Sequence, residues 1–574
     1  MGEEQPAPSG AESAPPQAEV PSAVVPQQAV PRPVAQRTQV LRPFVLRPFV
    51  LRPFALRPFV LRPVLTRPAA SRTAVPPGSS AHTDPFTWAI AAVVFGAYSA
   101  ISLFRLLQLN PSSWDLGIYT EYVKQYAELR APIVDIRAPG FNLLGDHFQP
   151  IVAVLAPFFR VFPSSATLVA AQALLAAASV FPVSQLAREK LGVGPSRAIA
   201  VAYGFSWGLQ QLPQFDFHEI AFAVPLLAFS LSALARGRTW AAVWWALPLV
   251  FVKEDQGFTV AAIGIYLIVS GLRAEIPDPR DPADPYGRGR MVAGQFLLIW
   301  GFAWSFVAIG VIIPHFNRAG VYQYWSDGGV LAPGGHPSVF GLVGQLLHAW
   351  PDKLQTVVML LLPTAFIALR SPLVLIAVPS LLLRFIATNS SFWGTYWHYN
   401  ATVMPIIFIA AIDALARIGS AMDADTTRSA GWASGRQGLW PATLAGARRY
   451  GAAMMVAIAV PLAFQFPLSQ LWNAQTYRIS PHVGQAEAAM AKVPDGATVL
   501  TTLDLLAPLA ARADTFWIGN SGNPVAQYIV FDGFNSDYSP AIKNVPAFIA
   551  GLYPPRTYTE IFASGDVYVF RRTR

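Results

Sequence analysis

From residue 86 onward the chain alternates between long apolar runs and short polar stretches. Eleven runs stand out: 86–108, 165–187, 197–213, 219–236, 239–253, 256–272, 291–314, 354–369, 372–389, 400–417 and 450–468. A helix needs about 20 predominantly apolar residues to cross a bilayer, somewhat fewer when flanking residues reach the interface, so each run predicts a membrane-spanning helix. The apolar run 148–162, only 15 residues long, predicts a helix lying in the interface, because making it a span would throw the short basic loops that follow to the outside. That choice fixes the side on which every later loop falls.

Beyond the last run the periodicity changes. Residues 470–574 predict a small α/β domain: helices over 486–492 and 505–512, strands over 497–502, 515–519 and 528–532, and a hairpin of 557–562 with 567–571. It contains neither a phosphate-binding loop nor a nucleophile elbow. It could bind an acceptor, contact the cell envelope, or simply pack on the membrane domain. At the other end, 1–85 carries nine arginines, no lysine and a repeat that reads LRPFV, LRPFV, LRPFA, LRPFV. Proline in every repeat opposes both helix and sheet, so this arm is predicted to be disordered and partly polyproline II. Its arginines and phenylalanines could also touch anionic headgroups. The predicted fold class is therefore an all-α polytopic membrane protein over 86–469, flanked by the disordered arm and the α/β domain.

Composition agrees with that class. With 53% hydrophobic and 13% charged residues in 574, the chain is not a string of soluble domains. The absence of cysteine excludes disulfides, thiolate catalysis and cysteine-ligated zinc. The formal charge of +9 invites a nucleic-acid reading, but its distribution explains it better. With the N-terminus inside, the cytoplasmic segments hold nine, three, two, four, one and five Lys and Arg, 24 in all, against seven in the outer loops. That asymmetry is what orients a multi-pass protein. The chain is predicted to sit in a membrane with a cytoplasmic N-terminus and an extracytoplasmic C-terminal domain, its partner being the lipid bilayer and not nucleic acid.

The same count separates chemistry from bulk charge. The stretch 110–150 packs Asp115, Glu121, Glu128, Asp135, Asp146 and His147 beside the first span, where ionised groups are costly. Further constellations lie at span ends on the same side: Asp216, His218 and Glu219; Lys253, Glu254 and Asp255; and His398 within Trp397-His398-Tyr399-Asn400. These could hold a divalent cation or act as acid and base. None has the spacing of a specific metal motif, so the cofactor stays open. Alternatively they are satisfied polar caps, with Lys253 neutralising Glu254 or Asp255 and Asp216 pairing with His218. Tyr322, Tyr324, Trp325, Trp393, Tyr396, Trp397 and Tyr399 are expected to form the interfacial aromatic belt.

The motifs WDLGIY, GDHFQPIVAVLAPFFRVFP, FDFHEIAFAVPLL, VKEDQG and YWHYNATVMP, in this order, resemble a bacterial family of predicted membrane proteins of unassigned function found in actinobacteria and cyanobacteria. The resemblance covers roughly 86–532. That family is in turn distantly similar to GT-C glycosyltransferases, membrane enzymes that use polyprenol-phosphate sugars and carry an essential acid in the first outer loop, followed by a surface helix. The resemblance implies that Asp115 is that acid, with Asp146 and His147 beside it, and that 148–162 is the surface helix. It also implies a polyprenol-phosphate-sugar donor and an envelope glycan acceptor. Two other readings stay open: a transporter or flippase of an envelope precursor, for which Arg384 and Asp413 are the ionisable candidates inside spans, and a non-catalytic envelope-assembly scaffold.

Overall fold

The computed structural model describes residues 84–573 except 112, 274–283, 285–286, 326–338, 430–438, 535–541 and 554–556. The arm through residue 83, with its repeats, lies outside the described residues.

The first helix, α1 (Pro85–Leu107), begins where the sequence provides both a stop and a start. Asp84 caps it by accepting from the Phe86 amide at 3.1 Å, and Pro85 occupies the first position, where its missing N–H costs nothing. Arg197 reaches the same carboxylate at 2.9 Å and ties this end of α1 to a second helix, Val193–Gly204. Among the described residues, four stretches are long and apolar enough to cross a membrane: Pro85–Leu107, Ser165–Leu191, Arg288–Phe316 and His398–Met422. Shorter apolar helices cover Pro150–Val161, Glu219–Ala235, Thr239–Phe251, Gln256–Leu272 and Pro372–Phe385. Two of the expected runs are interrupted. Residues 197–213 fall on Val193–Gly204 and Trp207–Gln214, and 354–369 on Trp350–Leu361 followed by two short 3₁₀ turns. Pro363 supplies no amide at the second break, and Ala365 and Phe366 there take the left-handed conformation.

Glycines set the tightest helix contact. Gln256–Leu272 and Arg288–Val307 run against each other so closely that a Cβ on Gly257 would lie 2.3 Å from the Gly301 carbonyl oxygen. A Cβ on Gly264 would lie 2.6 Å from that of Gly294. Where lipid replaces water as solvent, close backbone approach through small residues is a main source of helix association. This seam also fixes the turn that precedes it, since Ser305 Oγ donates to the Glu254 carbonyl at 2.6 Å.

Helix α2 (Asp115–Ala127) lies almost wholly buried between the helical core and the C-terminal module. Gly117 permits this, because a Cβ there would stand 2.8 Å from Leu506 Cβ in the module's helix Leu503–Ala510. Lys124 Nζ donates to the Ala513 carbonyl at 2.6 Å, Ser165 Oγ to that of Ala507 at 2.9 Å, and the Trp114 and Trp517 rings meet edge to face at 5.3 Å. The module itself holds a five-stranded sheet: β1 (Thr498–Thr501), β2 (Asp514–Trp517), β3 (Tyr528–Asp532), β4 (Tyr558–Ser564) and β5 (Val567–Arg572) in the order β2-β1-β3-β5-β4. The first three strands are mutually parallel, and β5 pairs antiparallel with β3 and β4.

Candidate functional site

Five segments that are distant in sequence meet around the first turns of α2. They are the first turn of α2, the stretch around Asp146–Gln149, the turn 215–219, the turn 253–255, and with them His398–Asn400. Asp115 opens the basin. Its Oδ2 lies 3.4 Å from His218 Nε2 and also accepts from the Ser113 hydroxyl. No partner among the described residues falls on Oδ1, and the carboxylate keeps about a third of its surface accessible, at 33%. Burial pushes this carboxyl up, but His218, Ser113 and the charge of Lys253 together hold it below the usual carboxylate range. For His218 burial acts downward, while Asp115 and Glu219 bring the ring above its ordinary value. The site therefore presents an ionised acid with one oxygen held and one oxygen open.

Beneath that pair lies a buried polar layer. His398 stacks on His218 with ring centres 3.6 Å apart, and the Nδ1 atoms of both rings are buried with no hydrogen-bond partner among the described residues. Tyr119, one helical turn after Asp115 on α2, bridges Glu219 and Gln149 through its hydroxyl. Lys253 Nζ reaches Glu219 Oε1 at 3.0 Å.

A second group adjoins the first through Lys253. His147 Nδ1 and Glu254 Oε1 are 2.7 Å apart, and Glu254 further accepts from the Phe148 amide and the Tyr322 hydroxyl. Against the upward pull of burial, His147 and Lys253 bring Glu254 down to about 2. Asp146 meets Arg137 Nε at 3.3 Å and accepts from the Tyr324 hydroxyl at 3.2 Å, while Tyr324 stacks on His147 at 4.3 Å. Arg137 also lies over the Trp114 ring at 5.6 Å.

The structure thus brings Asp115, His218, Glu219, Lys253 and His398 into one group, and Asp146, His147 and Glu254 into its neighbour. His218, and not His147, is the imidazole against Asp115. Asp255 occupies the N-cap position of the following helix without a side-chain capping bond, and its carboxylate accepts from Gln256; its carboxyl is pushed up by burial. Asp216 turns away: at φ +55° it faces Arg105 at 4.0 Å, so the pairing expected with His218 does not form. The alternative pairing of Lys253 with its own neighbours gives way to contact with Glu219 across the fold. Tyr322 and Tyr324 are drawn from the expected aromatic belt into the site by their hydroxyls. Arg384 donates to the Phe392 and Tyr399 carbonyls and to Asn400 Oδ1, and Asp413 pairs with Arg417 at 2.6 Å and accepts from Ser371. Both are thus engaged in local structure, which does not favour their use as a transport relay. Among the described residues the basin gathers no three His, Asp or Glu side chains at mutual metal-ligating distance.

The family model described as "Predicted membrane protein (DUF2079)" matches residues 105–541. No curated protein matches the chain. Among solved structures the chain is similar to ArnT from Cupriavidus metallidurans bound to undecaprenyl phosphate, with 14% identity and a TM-score of 0.48, covering 83% of this chain and 97% of that one. It is also similar to the Archaeoglobus fulgidus oligosaccharyltransferase tethered with an acceptor peptide, with 13% identity and a TM-score of 0.31, covering 77% of this chain and 69% of that one.

Proposed function

The chain belongs to the DUF2079 family of predicted membrane proteins, and we propose that it is a GT-C-like glycosyltransferase acting on the extracytoplasmic side of a bacterial plasma membrane. It moves a sugar from a polyprenol-phosphate donor to a cell-envelope acceptor. Asp115 is the general base: its open Oδ1 takes the proton of an acceptor hydroxyl as that oxygen attacks the anomeric carbon. The anomeric C–O bond to phosphate breaks, and its electron pair leaves with the polyprenyl phosphate. Lys253 and Arg137 offset the charge that gathers there. One displacement inverts the anomeric centre. His218 and Ser113 hold the base by its other oxygen, while Asp146 and His147, with Tyr324, line the neighbouring wall. Domain roles follow: 86–469 carries the site, and 470–574 packs against α2.

The observation that carries this reading is the partly accessible Asp115 carboxylate, anchored through Oδ2 by a buried imidazole and with no partner at Oδ1 among the described residues, in a basin that also holds two cations. A positioned general base contributes about 10² to 10⁴-fold, so Asp115→Asn should nearly abolish transfer while leaving the protein in the membrane. The test is complementation of a deletion strain, scored by envelope glycan analysis alongside membrane abundance. Wild-type glycans at normal abundance of Asp115→Asn would sink the assignment.

A further inference from the structure

We propose that the C-terminal module carries a divalent-cation site built from His482, Asp504 and Asp532. One donor atom from each of these side chains lies within 4.8 Å of the others. Three separate elements deliver them: Asp532 ends β3, Asp504 stands in the first turn of Leu503–Ala510 directly after β1, and His482 in the first turn of Pro481–Met490. The parallel strands β1 and β3 are neighbours, and the sheet continues from β1 to β2 on one side and from β3 to β5 on the other. The carboxyl ends of parallel strands at such a divergence form the crevice in which open α/β sheets hold their ligands.

The chemistry of the donors fits a metal. Asp504 is 3% and Asp532 0% exposed, and acids this deep in a protein are ordinarily paired or metal-bound. Within the cluster one imidazole faces two carboxyl groups. The carboxylates are aimed from outside the cluster. Thr502 Oγ1 donates to Asp504 Oδ1 at 2.9 Å and accepts from the Asp532 amide at 3.2 Å, and the Phe534 amide donates to Asp532 Oδ1 at 2.9 Å. Fixed orientation of ligands by their neighbours is a general feature of metal sites. His482 Nε2 stands 2.6 Å from Asp532 Oδ2, with its ring against Phe534 at 4.5 Å. A cation entering there replaces the proton shared by that pair. An imidazole donor beside two carboxylates favours a first-row cation such as Zn²⁺ over Mg²⁺ or Ca²⁺, which prefer all-oxygen shells, and three protein ligands leave room for water. The cluster shares no residue with the Asp115 basin.

The full chain is purified in detergent, stripped with a chelator and titrated with Zn²⁺, Mn²⁺, Mg²⁺ and Ca²⁺ by calorimetry, and with Co²⁺ by visible absorption. The expected result is one Zn²⁺ per chain, Co²⁺ bands of a nitrogen- and oxygen-ligated ion, and a higher melting temperature on loading. His482→Gln and Asp532→Asn should weaken Zn²⁺ by at least about tenfold and remove the Co²⁺ bands. Asp566→Asn, on the hairpin turn, should change neither. If Asp532→Asn does not fold, the His482→Gln spectrum decides. Absence of stoichiometric Zn²⁺ in the wild type, equal Zn²⁺ affinity in wild type and His482→Gln, or Ca²⁺ binding as tight as Zn²⁺ would each overturn the assignment.

Discussion

Replacing Lys253 by methionine removes one member of a buried ion pair and leaves its partner in place. Lys253 Nζ lies 3.0 Å from Glu219 Oε1, and the Glu219 side chain is only 1% accessible. At that separation and an effective dielectric near 20, the attraction is about 5.5 kcal/mol. Most of it offsets the desolvation of the two charges, so the pair's net contribution is far smaller than this figure. The single substitution behaves differently, because it exposes the desolvation cost of Glu219 without its compensation. Breaking a buried pair in this way typically costs about 3–5 kcal/mol, and Lys253→Met is expected to fall in that range. Tyr119 still hydrogen-bonds Glu219, which places the value toward the lower end. Lys253→Met with Glu219→Gln should regain most of the loss, since a neutral amide keeps the Tyr119 contact and needs no cation. The assay is denaturant-induced unfolding of the detergent-solubilised protein, run as a double-mutant cycle. A Lys253→Met variant within about 1 kcal/mol of wild type, or a double variant no more stable than the single, would refute the claim that this lysine neutralises Glu219.

Glu121 is 1% exposed and accepts from the Ile136 amide at 3.0 Å, and burial raises its pKa to about 8. The folded protein thus binds a proton that the unfolded chain releases above about pH 4.5, so this group's contribution to stability falls as pH rises from about 4.5 to about 8. Glu121→Gln should flatten that decline in melting temperature, gaining most at pH 8, and an unchanged profile would count against it. Gly264→Leu places side-chain atoms against the Gly294 carbonyl and should destabilise by about 1–3 kcal/mol or more while disturbing the 253–255 turn; Gly310→Ala, with open space around it, should be silent in the same melts. Reporter fusions after Ala274 and Ala430 should read as cytoplasmic and one at Ser521 as extracytoplasmic. Extracytoplasmic activity of the Ala430 fusion would reverse the orientation of the proposed site.

What the sequence could determine by itself is what sums along a line. The length of apolar runs, the uneven distribution of Lys and Arg, and proline in every repeat of the arm each act locally, so composition sufficed to read a polytopic membrane class and a separate C-terminal α/β segment. Acids and histidines gathered at span ends also stood out in one dimension, because ionised groups beside lipid need a reason to be there, and the fold brings several of those segments together. Partner choice was not legible, since it is settled by packing between distant turns. His147 finds Glu254 across 107 residues and Tyr119 finds Glu219 across 100. A positive φ at Asp216 sends that carboxylate to Arg105 and leaves Asp115 to His218. The glycines at 257, 264, 294 and 301 hold a recurrent spacing, but only the contact between two helices shows that a side chain there would strike backbone. His482 and Asp532, 50 residues apart, match no motif because a sheet brings them together, not a loop of fixed length. One-dimensional patterns record how a residue partitions between lipid and water, while a site depends on distances of a few ångströms that exist only once helices and strands have closed on one another.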